Sequence, residues 1–76
     1  MLGQQYWADY GDFRLVVESQ EREWLARVYD RKNHVWMFEL SVNNPEAGKA
    51  IAWQGTKRIL ELPYYTHEPT WNLKKD

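Results

Sequence analysis

Between Phe13 and Ser41 apolar and polar residues alternate in three consecutive runs, a period of two that reads as β-strands. Phe13 to Ser19 sets Phe13, Leu15 and Val17 on one face and Arg14, Val16 and Glu18 on the other. Glu23 to Asp30 alternates Trp24, Ala26 and Val28 with Leu25, Arg27 and Tyr29. His34 to Ser41 alternates Trp36, Phe38 and Leu40 with Val35, Met37 and Glu39. Short polar segments separate the runs, so the three strands are expected to form an antiparallel meander.

Opposed residues of an antiparallel pair point to the same face, which allows the register to be tested against loop lengths. Pairing Val17 with Trp24, Leu15 with Ala26 and Phe13 with Val28 leaves Ser19 to Arg22 as a polar turn. Pairing Val28 with Trp36, Ala26 with Phe38 and Trp24 with Leu40 leaves Arg31-Lys32-Asn33 as a loop, with Asn33 at its left-handed position. The expected core face is Phe13, Leu15, Val17, Trp24, Ala26, Val28, Trp36, Phe38 and Leu40. On the other face this register opposes Arg14 and Arg27, an unfavourable pair unless Glu18 or Glu39 lies between them.

A helix follows with a complete start signal: Asn44 as N-cap, Pro45 at the first helical position and Glu46 beside the positive end of the dipole. Pro63 is expected to end it. Ala47, Gly48, Ile51, Ala52, Gly55, Ile59 and Leu62 share one face at the helical period. Gly48, Ala52 and Gly55 make that face narrow, which predicts close approach to bulky sheet residues such as Trp24, Trp36 and Phe38. The fold class is therefore α+β: a three-stranded antiparallel sheet with one C-terminal helix packed on one face, and ordered aromatic tails. One domain spans 1–76, as an N-terminal arm (1–11), a core (12–62) and a C-terminal tail (63–76).

A chain of 76 residues has a small core, and domains of this size usually add disulfides, a metal or a partner. This sequence contains no cysteine, which removes disulfides, thiolate metal sites and cysteine nucleophiles together. Aromatic residues instead make up 16% of it, and several fall outside the expected core. Trp53 and Leu60 form a second stripe on the helix, away from the sheet. Tyr29 and Met37 lie on the open sheet face, and Trp7 and Trp71 in the tails. Those six residues are the candidate protein-binding surface, since aromatic side chains are common interface anchors.

Two histidines, His34 and His67, lack metal-ligand spacing, and no serine has a base in prospect. The glycines are scattered and form no phosphate-cradling loop. No catalytic residue, cofactor, metal or small-molecule substrate is expected. Net charge is −1, which argues against a strongly electrostatic nucleic-acid or membrane binder. Neither a signal peptide nor a membrane helix is read in the sequence, so a cytoplasmic location is expected.

The order of three strands and a helix resembles the C-terminal part of double-stranded RNA-binding domains and the core of integrase arm-type DNA-binding domains. Glu46-Ala47-Gly48-Lys49-Ala50-Ile51-Ala52 resembles the alanine-rich second helix of the RNA-binding family. That likeness implies a fold; the family's basic cluster at the helix start is replaced here by Asn44-Pro45-Glu46. The expected function is a non-catalytic protein-interaction module of regulator or inhibitor type, a homodimer or the ligand of a larger protein. The alternative is a nucleic-acid-binding domain using Arg14, Arg27, Arg31, Lys32 and Lys49.

Overall fold

The computed structural model describes residues 3–75. It is an antiparallel sheet with one helix packed on it, but the sheet has five strands rather than three. They are β1 (Gln4–Tyr10), β2 (Phe13–Gln20), β3 (Glu23–Asp30), β4 (Val35–Val42) and β5 (Asn72–Lys75), with α1 (Pro45–Leu60) between the last two. The spatial order is β4-β3-β2-β1-β5, so α1 and the segment after it carry the chain from one edge to the other.

Both additional strands come from the segments read as tails. Gln4 to Tyr10 itself alternates, with Tyr6, Ala8 and Tyr10 opposite Val17, Leu15 and Phe13. The Gly11-Asp12 hairpin makes the pairing possible, because Gly11 takes a φ of +58° at no steric cost. Lys74 and Lys75, which look like a frayed end in the sequence, belong to β5 and pair with Gln5 and Gln4; Asp76 lies outside the described residues.

The sheet register differs from the expected one by two residues. Val17 pairs with Ala26, Leu15 with Val28 and Phe13 with Asp30, because the β2–β3 loop is the tight pair Glu21-Arg22. An even shift preserves which face each side chain occupies, so most of the expected core survives. It also separates Arg14 from Arg27: Arg14 opposes Tyr29, and Arg27 opposes Val16 and Glu39.

The β3–β4 loop has four residues, Arg31 to His34, and the buried Asp30 organises it. The Asp30 carboxylate accepts hydrogen bonds from the Lys32 and Asn33 backbone amides at 3.0 and 3.2 Å and from Asn33 Nδ2 at 2.7 Å. With Asn33 so engaged, His34 takes the left-handed conformation, with a φ of +59°. The longer loop is followed by an irregularity: Val28 opposes Phe38 while Tyr29 opposes Trp36, leaving Met37 as the extra residue. Trp36 is thereby turned onto the open face and out of the expected core, and is 47% exposed.

The helix start is as expected, with Asn44 Oδ1 accepting from the Ala47 amide at 2.8 Å. Its end precedes Pro63. Glu61 adopts a φ of +54°, its amide donates to the Arg58 carbonyl at 3.2 Å, and the Leu62 amide donates to the Lys57 carbonyl at 2.9 Å. Gly55 lies within the helix and does not divide it.

The core joins Leu15, Val17, Ala26 and Val28 of the central strands to Ala52 of α1, all fully buried. Burying each larger aliphatic side chain contributes on the order of 1.5 to 3 kcal/mol. The narrow helix face is borne out, but it meets Val17 and Phe38 rather than Trp24 or Trp36: a Cβ on Gly48 would lie 2.7 Å from Val17 Cγ1, and one on Gly55 would collide with the Phe38 ring. Trp53 corrects the second-stripe reading, being only 5% exposed and 5.3 Å from the Tyr10 ring. The helix turns its Trp53 side inward because β1 widens the sheet beneath it. Trp71 also packs against this cluster, whereas Tyr64 is 87% exposed and covers nothing.

Gly48→Ala is expected to destabilise the fold even though alanine is the better helix former by about 1 kcal/mol. Val17 is β-branched and fully buried, so it cannot turn aside, and overpacking costs about 1 to 3 kcal/mol. Urea unfolding checks this, and a raised midpoint would contradict the close contact.

Candidate protein-interaction surface

The two edges of the sheet differ in how they meet solvent. An edge strand offers a row of unpaired backbone donors and acceptors, which proteins commonly blunt with short strands, lysine or proline. β5 is four residues long and ends in Lys74-Lys75. By contrast, β4 has eight residues, VWMFELSV, with no lysine or proline and Glu39 as its single charge. One edge is blunted and the other is open.

Apolar surface adjoins the open edge. α1 packs mainly over β2 and β3 and only lightly on β4, so the helix-facing side of β4 is left partly uncovered. Phe38 and the α1 residues Ile51, Gln54, Gly55 and Ile59 line a groove of about 420 Å³, with Ala50 and Arg58 at its sides. Leu40 points to the helix side of the sheet yet is 50% exposed. Trp36 and Met37 extend the apolar character around the same edge. The missing cover follows from sheet width: a helix centred under five strands cannot also shield an outermost one.

The opposite face of the sheet is built from stacked cation–aromatic pairs. The Arg14 guanidinium lies 4.5 Å from the Trp7 ring, and that of Arg27 lies 4.3 Å from the Trp36 ring. Tyr29 meets Trp36 at 4.8 Å between centroids. Carboxylates hold both arginines in place. Asp9 accepts from Arg14 Nε at 2.7 Å and Nη2 at 2.8 Å, and Arg31 Nη1 approaches it at 3.4 Å. Arg27 is hydrogen-bonded to Glu18 and lies 3.9 Å from Glu39, while its Nε is buried without a partner among the described residues. The Arg14 hydrogen bonds hold Asp9 below the ordinary carboxylate range, and the same bonds raise Arg14.

These positions redistribute the residues singled out in the sequence. Trp53 belongs to the packed core, Trp71 is partly buried against it, and Leu60 lies on the last turn of α1. Trp7, Tyr29 and Met37 lie on β1, β3 and β4 respectively, and only Tyr29 and Met37 flank the open edge. Arg14 and Arg31 converge on the Asp9 carboxylate, whereas Lys49 lies apart on the helix side. Arg14, Arg27 and Arg31 are ion-paired or bonded to backbone carbonyls, with Arg31 Nη2 donating to the Gly11 carbonyl at 2.6 Å. Lys32 lies in the β3–β4 loop, and Lys49 sits on the helix, 4.0 Å from the Tyr6 ring and 3.7 Å from Glu46. Sequence reasoning missed Leu40, Ile51 and Ile59 as surface residues. Their helical and strand periods assign them correctly to the apolar faces, but periodicity does not say how far a helix reaches across a sheet.

No family model, curated protein or solved structure matches the chain. Among the described residues no cluster of His, Asp and Glu is arranged to hold a metal ion, and no helix is long and apolar enough to cross a membrane.

The Asp9 carboxyl is expected to titrate below 3.8 in the folded protein and to move back towards it in Arg14→Leu. A lowered folded-state value means that the stabilisation is complete above the unfolded value and is lost as pH falls through the folded one. Carboxyl-carbon NMR titration reads the shift; equal values in the two proteins would contradict the Arg14 assignment.

Proposed function

We propose that the protein is a non-catalytic protein-interaction module that captures a protein strand along β4. One observation carries this reading: the long, nearly uncharged edge lies beside an uncovered apolar groove. Strand addition gains backbone hydrogen bonds from the edge, and the groove receives alternate side chains of the added strand. The fold thereby offers an affinity element and a selectivity element side by side. Regulator or inhibitor action fits such a module, because an added strand occupies its partner's segment without any chemistry.

The nucleic-acid reading is weaker for a physical reason. Arg14, Arg27 and Arg31 are each neutralised or bonded within the fold, so a phosphate would have to displace existing partners. Lys49 lies on the helix side of the sheet and Arg14 on the other, so no single strand of nucleic acid meets both.

Capture from source-cell extract with the immobilised protein tests the module. Wild type should retain specific proteins that Leu40→Lys loses, since Leu40 lies at the open edge and is half exposed. Retention by Arg14→Leu should match wild type. Equal retention by wild type and Leu40→Lys, of further copies of this chain as well as of other proteins, would overturn the reading, as would capture of nucleic acid whose affinity falls steeply with salt.

A further inference from the structure

We infer that the strand taken up by β4 is β4 of a second copy of this chain, paired antiparallel about a two-fold axis through Leu40. The inference rests on the strand-capture reading and specifies its occupant.

The geometry of β4 limits how a second strand can pair with it. The irregularity at Met37 interrupts the strand at one end, and the turn into Asn44 and Pro45 ends it at the other. Between them lies Phe38 to Val42, a regular run whose centre is Leu40. A two-fold perpendicular to a sheet keeps each face on its own side, so the axis must pass through a residue that opposes itself. Centring it on Leu40 uses the whole run. Phe38 then opposes Val42 of the second copy, Leu40 opposes its own counterpart, and Glu39 opposes Ser41.

The chemistry of this register is favourable on the helix side and brings no like charges directly opposite each other on the other. Phe38, Leu40 and Val42 all point to the helix side, where the groove beside Ile51 and Ile59 needs apolar side chains to fill it. The row from the second copy supplies them, and symmetry fills the other groove in the same way. On the opposite face Glu39 meets Ser41 of the second copy, whose hydroxyl already donates to Glu23 at 3.3 Å, while Glu39 keeps its own approach to Arg27 at 3.9 Å. An axis through Glu39 would instead oppose two carboxylates, which is unfavourable. β4 is therefore the kind of strand that its own edge selects: apolar at alternate positions towards the helix, polar between them, and with one charge. A net charge of −1 per chain adds little long-range repulsion between copies.

The sequence has no cysteine, so single introduced cysteines report the register without interference. Directly opposed residues have Cα atoms about 4.5 to 5.5 Å apart, within the span of a disulfide. In the proposed dimer Leu40→Cys should cross-link to itself under mild oxidation. Glu39→Cys should not, because its counterpart lies about 8 Å away along and across the pair. Sedimentation should show wild type at twice the chain mass, and Leu40→Lys should weaken self-association more than about tenfold while remaining folded by circular dichroism.

A wild-type monomer at high micromolar concentration overturns the second copy as occupant. A dimer that Leu40→Lys leaves intact, or that cross-links through Glu39→Cys in preference to Leu40→Cys, overturns it too. A monomer that still captures proteins through Leu40 would leave the strand-capture reading standing, so the two failures are distinguishable.

Discussion

The contact between the small face of α1 and strands β2 to β4 fixes the arrangement of the whole molecule. Gly48 rests on Val17 and Gly55 on Phe38 so closely that neither position has room for a methyl group. Close approach allows Ala52 to seal the core, and it sets where the helix axis lies over the sheet. Trp53 then reaches Tyr10 of β1 on one flank, while Phe38 is only partly covered on the other. The open groove is a direct consequence of that placement.

The path of the chain explains why the helix lies there. It must carry the backbone from β4, at one edge, to β5, at the other. In doing so it covers the middle of the sheet and leaves an edge behind. The aromatic residues outside the core are divided by the same geometry. Trp7 and Trp36 are matched with Arg14 and Arg27 on the far face, whereas Tyr6 and Trp71 lie near Lys49 on the helix side. On the far face the Arg14 and Arg27 guanidiniums are thus each engaged by both a ring and a carboxylate. Among the described residues the β4 edge has no such internal partner for its backbone, which is why binding is proposed there.

Local chemistry made much of the fold legible in the sequence. The Asn44-Pro45 start of α1, the strands β2, β3 and β4 and the small helix face depend on neighbouring residues and read directly. What depends on chain closure at a distance did not. β5 pairs with β1 across almost the full length of the sequence, and nothing in Asn72-Leu73-Lys74-Lys75 announces that partner. β1 did carry a signal, the alternation of Tyr6, Ala8 and Tyr10 before a Gly-Asp turn. Trp53 looked exposed because a three-stranded sheet has no Tyr10 beside it; widening the sheet turned the same residue into core. Trp36 moved the other way, since an extra residue in a strand reverses faces and alternation alone does not locate it.

The central claim is that the backbone edge of β4, rather than the stacked face or the helix, is the working surface and that a second copy occupies it. Amide hydrogen exchange followed as a function of protein concentration tests it most directly. Protection is expected to rise with concentration for the alternate, outward-pointing amides between Phe38 and Val42, while the amides of β5 and the β1–β2 hairpin stay unchanged. Exchange along β4 that is independent of concentration, or protection that rises on another element, would contradict it.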